Sequence, residues 1–130
     1  VLTDVLSRAD IALPNIEEMD LLFDEKLAQE HLETLAVPDR QTVLKCGMNG
    51  VWLVGGTERI LVEPFSVDAV DATGAGDCFN GVLLASICDG SPFPECVRRA
   101  NMAAALSVQG FGAVAPIPTA EAVSAALEAV

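Results

Sequence analysis

Asp77 closes the run Asp71-Ala72-Thr73-Gly74-Ala75-Gly76-Asp77, whose residue types and spacing suit chemistry on a phosphate. Gly74 and Gly76 let the backbone approach a ligand and take conformations that side chains avoid. Beyond them, Phe79, Val82, Leu83 and Ile87 recur at helix spacing, so the glycines sit where a turn feeds a helix N-terminus. Such a place favours an anion, because free backbone N–H groups point outward and the helix dipole adds partial positive charge. A carboxylate at the same spot, Asp77, is placed to take a proton from a hydroxyl attacking phosphorus. The same residues also make an ordinary capped helix start, since Asp is a favoured N-cap and Gly is common in turns.

Two other glycine motifs fail. A P-loop needs Lys and then Ser or Thr after its last glycine, whereas Gly76 is followed by Asp77 and Cys78. The dinucleotide-binding fingerprint needs a third glycine where Phe79 stands. Gly110, Gly112 and Ala115 satisfy its relaxed form, but they follow a helical stretch and lead into Pro116 and Pro118. A redox enzyme is therefore disfavoured.

The elements that must position this turn can be read in order. Residues 2–9 read as the end of a helix and Asp10 to Pro14 as a short buried strand. Asn15 begins a helix with acids in its first turn. A second helix runs from about Glu25 to Ala36, with His31 expected on its solvated face. Gln41 to Cys46 is a strand, followed by Val51 to Val54, a Gly55-Gly56 hairpin turn and Arg59 to Val62. Phe65 to Val70 is expected to be the strand that delivers the glycine turn. A helix from Gly76 to Cys88 stops at Asp89-Gly90, another runs from Pro94 to about Gln109, and Thr119 caps a last one. Ala103, Ala104 and Ala105 are expected to mark tight helix–sheet packing. This alternation predicts one α/β domain over residues 1–130, a layered sandwich with a mainly parallel sheet and a hairpin near one edge. Ligands bind beyond the carboxyl ends of such strands, so Asn15, Lys45 to Gly50 and Asp71 to Asp77 are expected to share one rim.

Bulk composition narrows the classes. A net charge of −12 opposes general nucleic-acid binding, which needs a basic face. It permits a nucleotide, because a turn of N–H groups and Mg2+ make a local site on an acidic protein. The four cysteines form no CxxC pair and there is one histidine, so zinc has little support. Cys46, Cys78 and Cys96 read as buried, reduced thiols, consistent with a cytoplasmic setting. No apolar run reaches the roughly 18 residues of a membrane span, and no signal peptide is visible. The chain opens in a helix-like stretch with no obvious start, as an excised piece would.

Four stretches, in order, resemble the ribokinase family, the phosphofructokinase-B type of carbohydrate kinase. They are Asn15-Ile16-Glu17-Glu18, Lys45-Cys46-Gly47-Met48-Asn49-Gly50, Asp71 to Asp77, and Asn101 to Gly112. The resemblance implies a ribokinase-like fold, of which the chain matches only the carboxyl-terminal part. It implies ATP and Mg2+ as cofactors, with Asp77 as catalytic base and Gly74, Ala75 and Gly76 as the anion hole. Asn15 and Glu18 would hold Mg2+ through water. Lys45, Gly47, Met48, Asn49 and Gly50 would line the nucleotide, with Asn101 near the adenine. Asp71 and Thr73 would belong to a monovalent-cation site for K+, completed by main-chain oxygens from residues 107–112. A helix cap for Asn15 and a turn-stabilising role for Asp71 remain alternatives.

The implied activity is ATP-dependent phosphorylation of a sugar or sugar-acid hydroxyl, with the isolated 130 residues inactive because the amino-terminal sugar-binding part has no counterpart. The partners are then a small sugar and ATP, with no nucleic acid or membrane, and a homo-oligomer of the full-length enzyme is compatible. Ala72 in the motif, and Lys45 where Thr is common, look like the kinases of 2-keto-3-deoxygluconate. Ribose, fructose and nucleosides are the rival acceptors. The alternative class is a nucleotide- or anion-binding module without catalysis.

Overall fold

The structure, a computed structural model, describes residues 2–23 and 28–130. The chain divides into two compact units, Val1–Glu63 and Pro64–Val130.

In the first unit the order is α1 (Leu2–Arg8), β1 (Ile11–Ala12), α2 (Ile16–Phe23), α3 (Ala28–Leu35), β2 (Gln41–Lys45), β3 (Val51–Gly55) and β4 (Glu58–Val62). The four strands form one sheet in the order β1-β2-β3-β4. Thr42, Val43 and Leu44 are all buried, as expected for a strand covered on both faces. Met19, Leu32, Leu35, Leu44, Cys46 and Val54 form the core, each large side chain contributing about 1.5–3 kcal/mol by leaving water.

Three expectations change here. The sheet has one parallel pairing, β1 with β2, and two antiparallel ones rather than being mainly parallel. The reason is connection length: β2, β3 and β4 are joined by short turns, and parallel neighbours need a long crossover. The hairpin turn is shifted by one residue. Gly55 pairs with Glu58, so Gly56 and Thr57 make the loop, with Gly56 at φ 53°. His31 is wholly buried rather than solvated. It precedes Leu32 by one residue and Leu35 by four, on the stripe of α3 that faces the core, and its Nε2 lies 2.7 Å from Asp20 Oδ1. Of the expected second helix, residues 25–27 lie outside the described residues.

Arg40 is also buried, which the chain's patterning did not announce. Its guanidinium donates to the Thr42 hydroxyl (3.1 Å) and to the carbonyls of Leu6 (2.7 Å) and Leu35 (2.8 Å). Those carbonyls lie in the last turns of α1 and α3, where a helix leaves acceptors unpaired and a cation complements the dipole.

The second unit contains α4 (Ala75–Cys88), α5 (Phe93–Ser107) and α6 (Ala120–Glu128). Pro94 stands in the first turn of α5, Gly90 follows α4 at φ 79°, and Thr119 Oγ1 accepts from the Ala122 N–H. Residues 65–70 are not a strand, contrary to expectation. Pro64 lacks a donor, and the N–H of Val70 is drawn to the Val108 carbonyl (2.7 Å) instead of a ladder. The core joins Cys78 of α4, Met102 and Ala103 of α5, and Val123 of α6. Ala103 thus packs among helices within this unit. All four cysteines are free, with Cys46, Cys78 and Cys96 buried and Cys88 exposed. Among the described residues no helix is long and apolar enough to cross a membrane.

Candidate active site

The Asp71–Asp77 turn ends as its spacing predicts, in the N-terminus of α4. Gly74 is its N-cap, in the left-handed region at φ 78°. A Cβ there would come within 2.8 Å of the Ala113 Cβ, so glycine is required both by conformation and by space. The Ala75 amide donates to the Ala72 carbonyl (3.2 Å) and the Cys78 amide to the Gly74 carbonyl (2.9 Å). Among the described residues the amides of Gly76 and Asp77 have no protein acceptor. The donors left for an anion therefore include Gly76 and Asp77, whereas the amide of Ala75 is spent inside the turn. The Asp77 carboxylate is exposed on that same first turn.

The turn is held from a distance. Asp71 Oδ1 accepts from the Thr73 hydroxyl (2.6 Å) and the Thr73 amide (2.9 Å), and its Oδ2 accepts from the Gly112 amide (2.9 Å). These bonds, the Thr73 hydroxyl foremost, bring the Asp71 carboxyl down to about 2 from an ordinary 3.8. The Val108 carbonyl accepts from both Val70 (2.7 Å) and Asp71 (3.1 Å). The structure thus ties Asp71 to Val108 and to Gly112, both within residues 107–112, and the bond from Gly112 is made by its N–H. The bond from the Gly112 amide and the contact with Ala113 were not foreseen. The signal was present in Gly110 and Gly112, which are unhelpful to a helix; Gly112 stands at φ 84°. Asn101 lies buried in α5.

In the first unit the parallel bridge between Asn15 and Lys45 brings the other two motifs side by side, with the Lys45 amide on the Pro14 carbonyl (3.0 Å). Asn15 Oδ1 accepts from the Glu18 amide (2.7 Å) and Glu18 Oε2 accepts from the Asn15 amide (2.8 Å). This reciprocal pair is a capping box. It satisfies one oxygen of each side chain, while Glu18 Oε1 has no bonded partner among the described residues. Beyond β2, the chain makes a single 3-10 turn at Gly47–Asn49. The Asn49 and Gly50 amides close it internally, on Cys46 (3.0 Å) and Gly47 (3.2 Å). Gly47 and Gly50 both take positive φ, 55° and 84°, and Met48 between them is 89% exposed. The Asp71–Asp77 turn belongs to the second unit, so of the three expected rim features two are described together.

Residues 1–120 match the model of the pfkB family carbohydrate kinases. The chain belongs to this family. The ribokinase of Bacillus subtilis is 34% identical over 89% of the chain and 39% of its own length. The 2-dehydro-3-deoxygluconokinase of the same organism is 32% identical over 98% of the chain and 40% of its own length. Among solved structures, a putative ribokinase II from Escherichia coli in complex with ATP and Mg2+ superposes with a TM-score of 0.86 at 26% identity, over 99% of the chain and 42% of that protein. A Vibrio cholerae fructokinase with fructose, ADP and potassium ion gives 0.83 at 26% identity, over 96% of the chain and 42% of that protein. The fold of this pfkB-family chain is accordingly ribokinase-like. It spans less than half the length of the curated relatives it matches.

Proposed function

We propose that this chain is the ATP-binding and catalytic-base part of a carbohydrate kinase that phosphorylates a hydroxyl of a sugar or sugar acid. The observation that carries the reading is the first turn of α4, where unspent amides of Gly76 and Asp77 sit beside the exposed Asp77 carboxylate. Bound ATP supplies the phosphoryl group and Mg2+ offsets part of its charge. The residues here fit both groups. Amides at a helix N-terminus suit phosphoryl oxygens, and the spare Oε1 of Glu18 suits a hydrated, oxygen-seeking ion.

The chain's own contribution is positioning and proton handling. Amides of Gly76 and Asp77 donate to the equatorial oxygens as charge builds there, and being fixed they need no reorganisation. The Asp77 carboxylate accepts the proton of the acceptor hydroxyl as that oxygen bonds to the γ-phosphorus and the bond from phosphorus to the bridging oxygen breaks, releasing ADP. Gly74 holds the amides in place. Lys45, Gly47, Met48, Asn49, Gly50 and Asn101 are assigned to the nucleotide. Asp71 accepts three hydrogen bonds, leaving about one of its roughly four lone-pair sites for a monovalent cation such as K+. Free thiols fit a reducing, cytoplasmic setting.

For the acceptor we favour a sugar acid of the 2-keto-3-deoxygluconate type, on Ala72 and Lys45, over ribose or fructose. Relatives with ribose and fructose names match comparably well, so the acceptor must be measured. ATP-dependent phosphorylation by the full-length protein, run against 2-keto-3-deoxygluconate, ribose, fructose and nucleosides, tests the reading. Catalytic efficiency greatest on the sugar acid is expected. Preference for a neutral sugar removes that acceptor and leaves the kinase. Nucleotide binding without turnover on any acceptor removes the kinase and leaves a binding module.

A further inference from the structure

Residues 64–130 carry seven carboxylates and two basic side chains, Arg98 and Arg99, which are adjacent. Both line a cavity of about 360 Å³ between α5 and α6, together with Ser91, Glu95, Ser124 and Glu128. That volume is within the roughly 300–1,000 Å³ of small-molecule sites. The Arg99 guanidinium is half-buried and donates to the Ser124 hydroxyl (3.3 Å), which fixes it across the two helices. Arg98 makes no hydrogen bond among the described residues, and neither guanidinium is ion-paired with Glu95 or Glu128. A pair at i,i+3 or i,i+4, as Glu95 is to Arg98 and Arg99, ordinarily relieves such charge locally. Here the guanidiniums remain available. Ser91 lies just past α4 whereas Asp77 lies in its first turn, so about 20 Å of helix separates this cavity from the catalytic turn.

We propose that this cavity binds a phosphorylated polyhydroxy compound. Two guanidiniums with hydroxyls beside them match a phosphate monoester, whose oxygens accept forked N–H donors. The carboxylates would repel a bare anion, but they accept hydrogen bonds from ligand hydroxyls. Leu127 supplies an apolar wall for the C–H face. Phosphate toward Arg98 and Arg99 with hydroxyls toward Glu95 and Glu128 uses every charged group in the lining. The site is distinct from the catalytic one and does not depend on the kinase reading.

Ribose 5-phosphate, ribose and inorganic phosphate, titrated into the full-length protein with nucleotide saturating, test it. Calorimetry gives affinity, and the arginine Nε–Hε signals give location. The expected result is binding of ribose 5-phosphate that moves the Arg98 and Arg99 signals, with ribose and phosphate each weaker. Arg98→Gln, an exposed position, should weaken it on the order of tenfold, as loss of a charged hydrogen bond does, and leave turnover unchanged. Glu95→Gln should weaken the ester more than inorganic phosphate. Binding that leaves the arginine signals unmoved, or that survives Arg98→Gln undiminished, overturns the proposal. So does phosphate binding as tightly as the ester, or no binding at millimolar concentrations.

Discussion

The Gly47–Asn49 turn, with the Asn15–Glu18 cap beside it, and the Asp71–Asp77 turn are built in opposite ways. In the first unit, bonds are short in sequence: Asn15 and Glu18 satisfy each other across three positions, and the Gly47–Asn49 turn closes on itself. In the second unit the Asp71–Asp77 turn is fixed by partners about 40 residues away, through the Asp71–Gly112 bond and the Gly74–Ala113 contact. A locally closed turn spends its amides on itself and tolerates change nearby. A turn braced from outside can leave amides at Gly76 and Asp77 unspent, at the cost of depending on a distant loop.

The sharpest way to break this contrast is Gly74→Ala. The left-handed conformation alone costs about 1–2 kcal/mol, and the Ala113 contact forbids the new methyl without movement of the loop. Turnover of the full-length protein should fall on the order of 10²–10³, the worth of misplaced oxyanion donors. The double change with Ala113→Gly should recover part of the loss. Equal losses with and without the second change would show that the loop does not brace the turn.

Arg40→Met extends the contrast to stability within the first unit, whose distant bonds are structural. It strands the Leu6 and Leu35 carbonyls and should cost about 2–4 kcal/mol in denaturant unfolding. A loss under about 0.5 kcal/mol, ordinary for surface positions, would mean that these carbonyls find other partners.

Glu18→Gln separates cap from charge, because glutamine also completes a capping box. The unfolding midpoint should hardly move while the Mg2+ concentration needed for half-maximal rate rises. An unchanged metal requirement would leave Glu18 as a cap alone.

The smallest effect is on acid stability. Asp71 falls to about 2 in the folded protein from 3.8, so its bonds stabilise fully above the higher value. That contribution is lost as pH falls through about 2. Asp71→Asn should remove this component of the acid-unfolding profile below pH 4 and lessen stability at neutral pH slightly. A superimposable acid profile would show that the Gly112 brace carries no such linkage.

The same contrast explains what the sequence made legible. The α4 start, the Asn15 cap and the Thr119 cap are local patterns of a few residues, and each stands where its spacing put it. Burial of His31 needed knowledge of which face of α3 meets the sheet, and its neighbours Glu30 and Glu33 masked that face. Residues 65–70 alternate like a strand, yet a strand exists only with a partner, and the Val70 amide bonds Val108. Parallel pairing was over-expected because alternation of strands and helices ignores the two short turns after β2. The roles of Gly112 and Ala113 were hidden because a carboxylate at position 71 does not say which distant amide it accepts.

One rate measurement bears most directly on the proposed role of α4's first turn. In the full-length protein, Asp77→Asn should retain the fold and bind nucleotide as before, because the Gly76 and Asp77 amides belong to the backbone. Phosphoryl transfer in a single turnover should fall on the order of 10²–10⁴, the usual worth of a positioned base. A near wild-type rate at saturating acceptor and nucleotide would contradict the assignment of Asp77 as base.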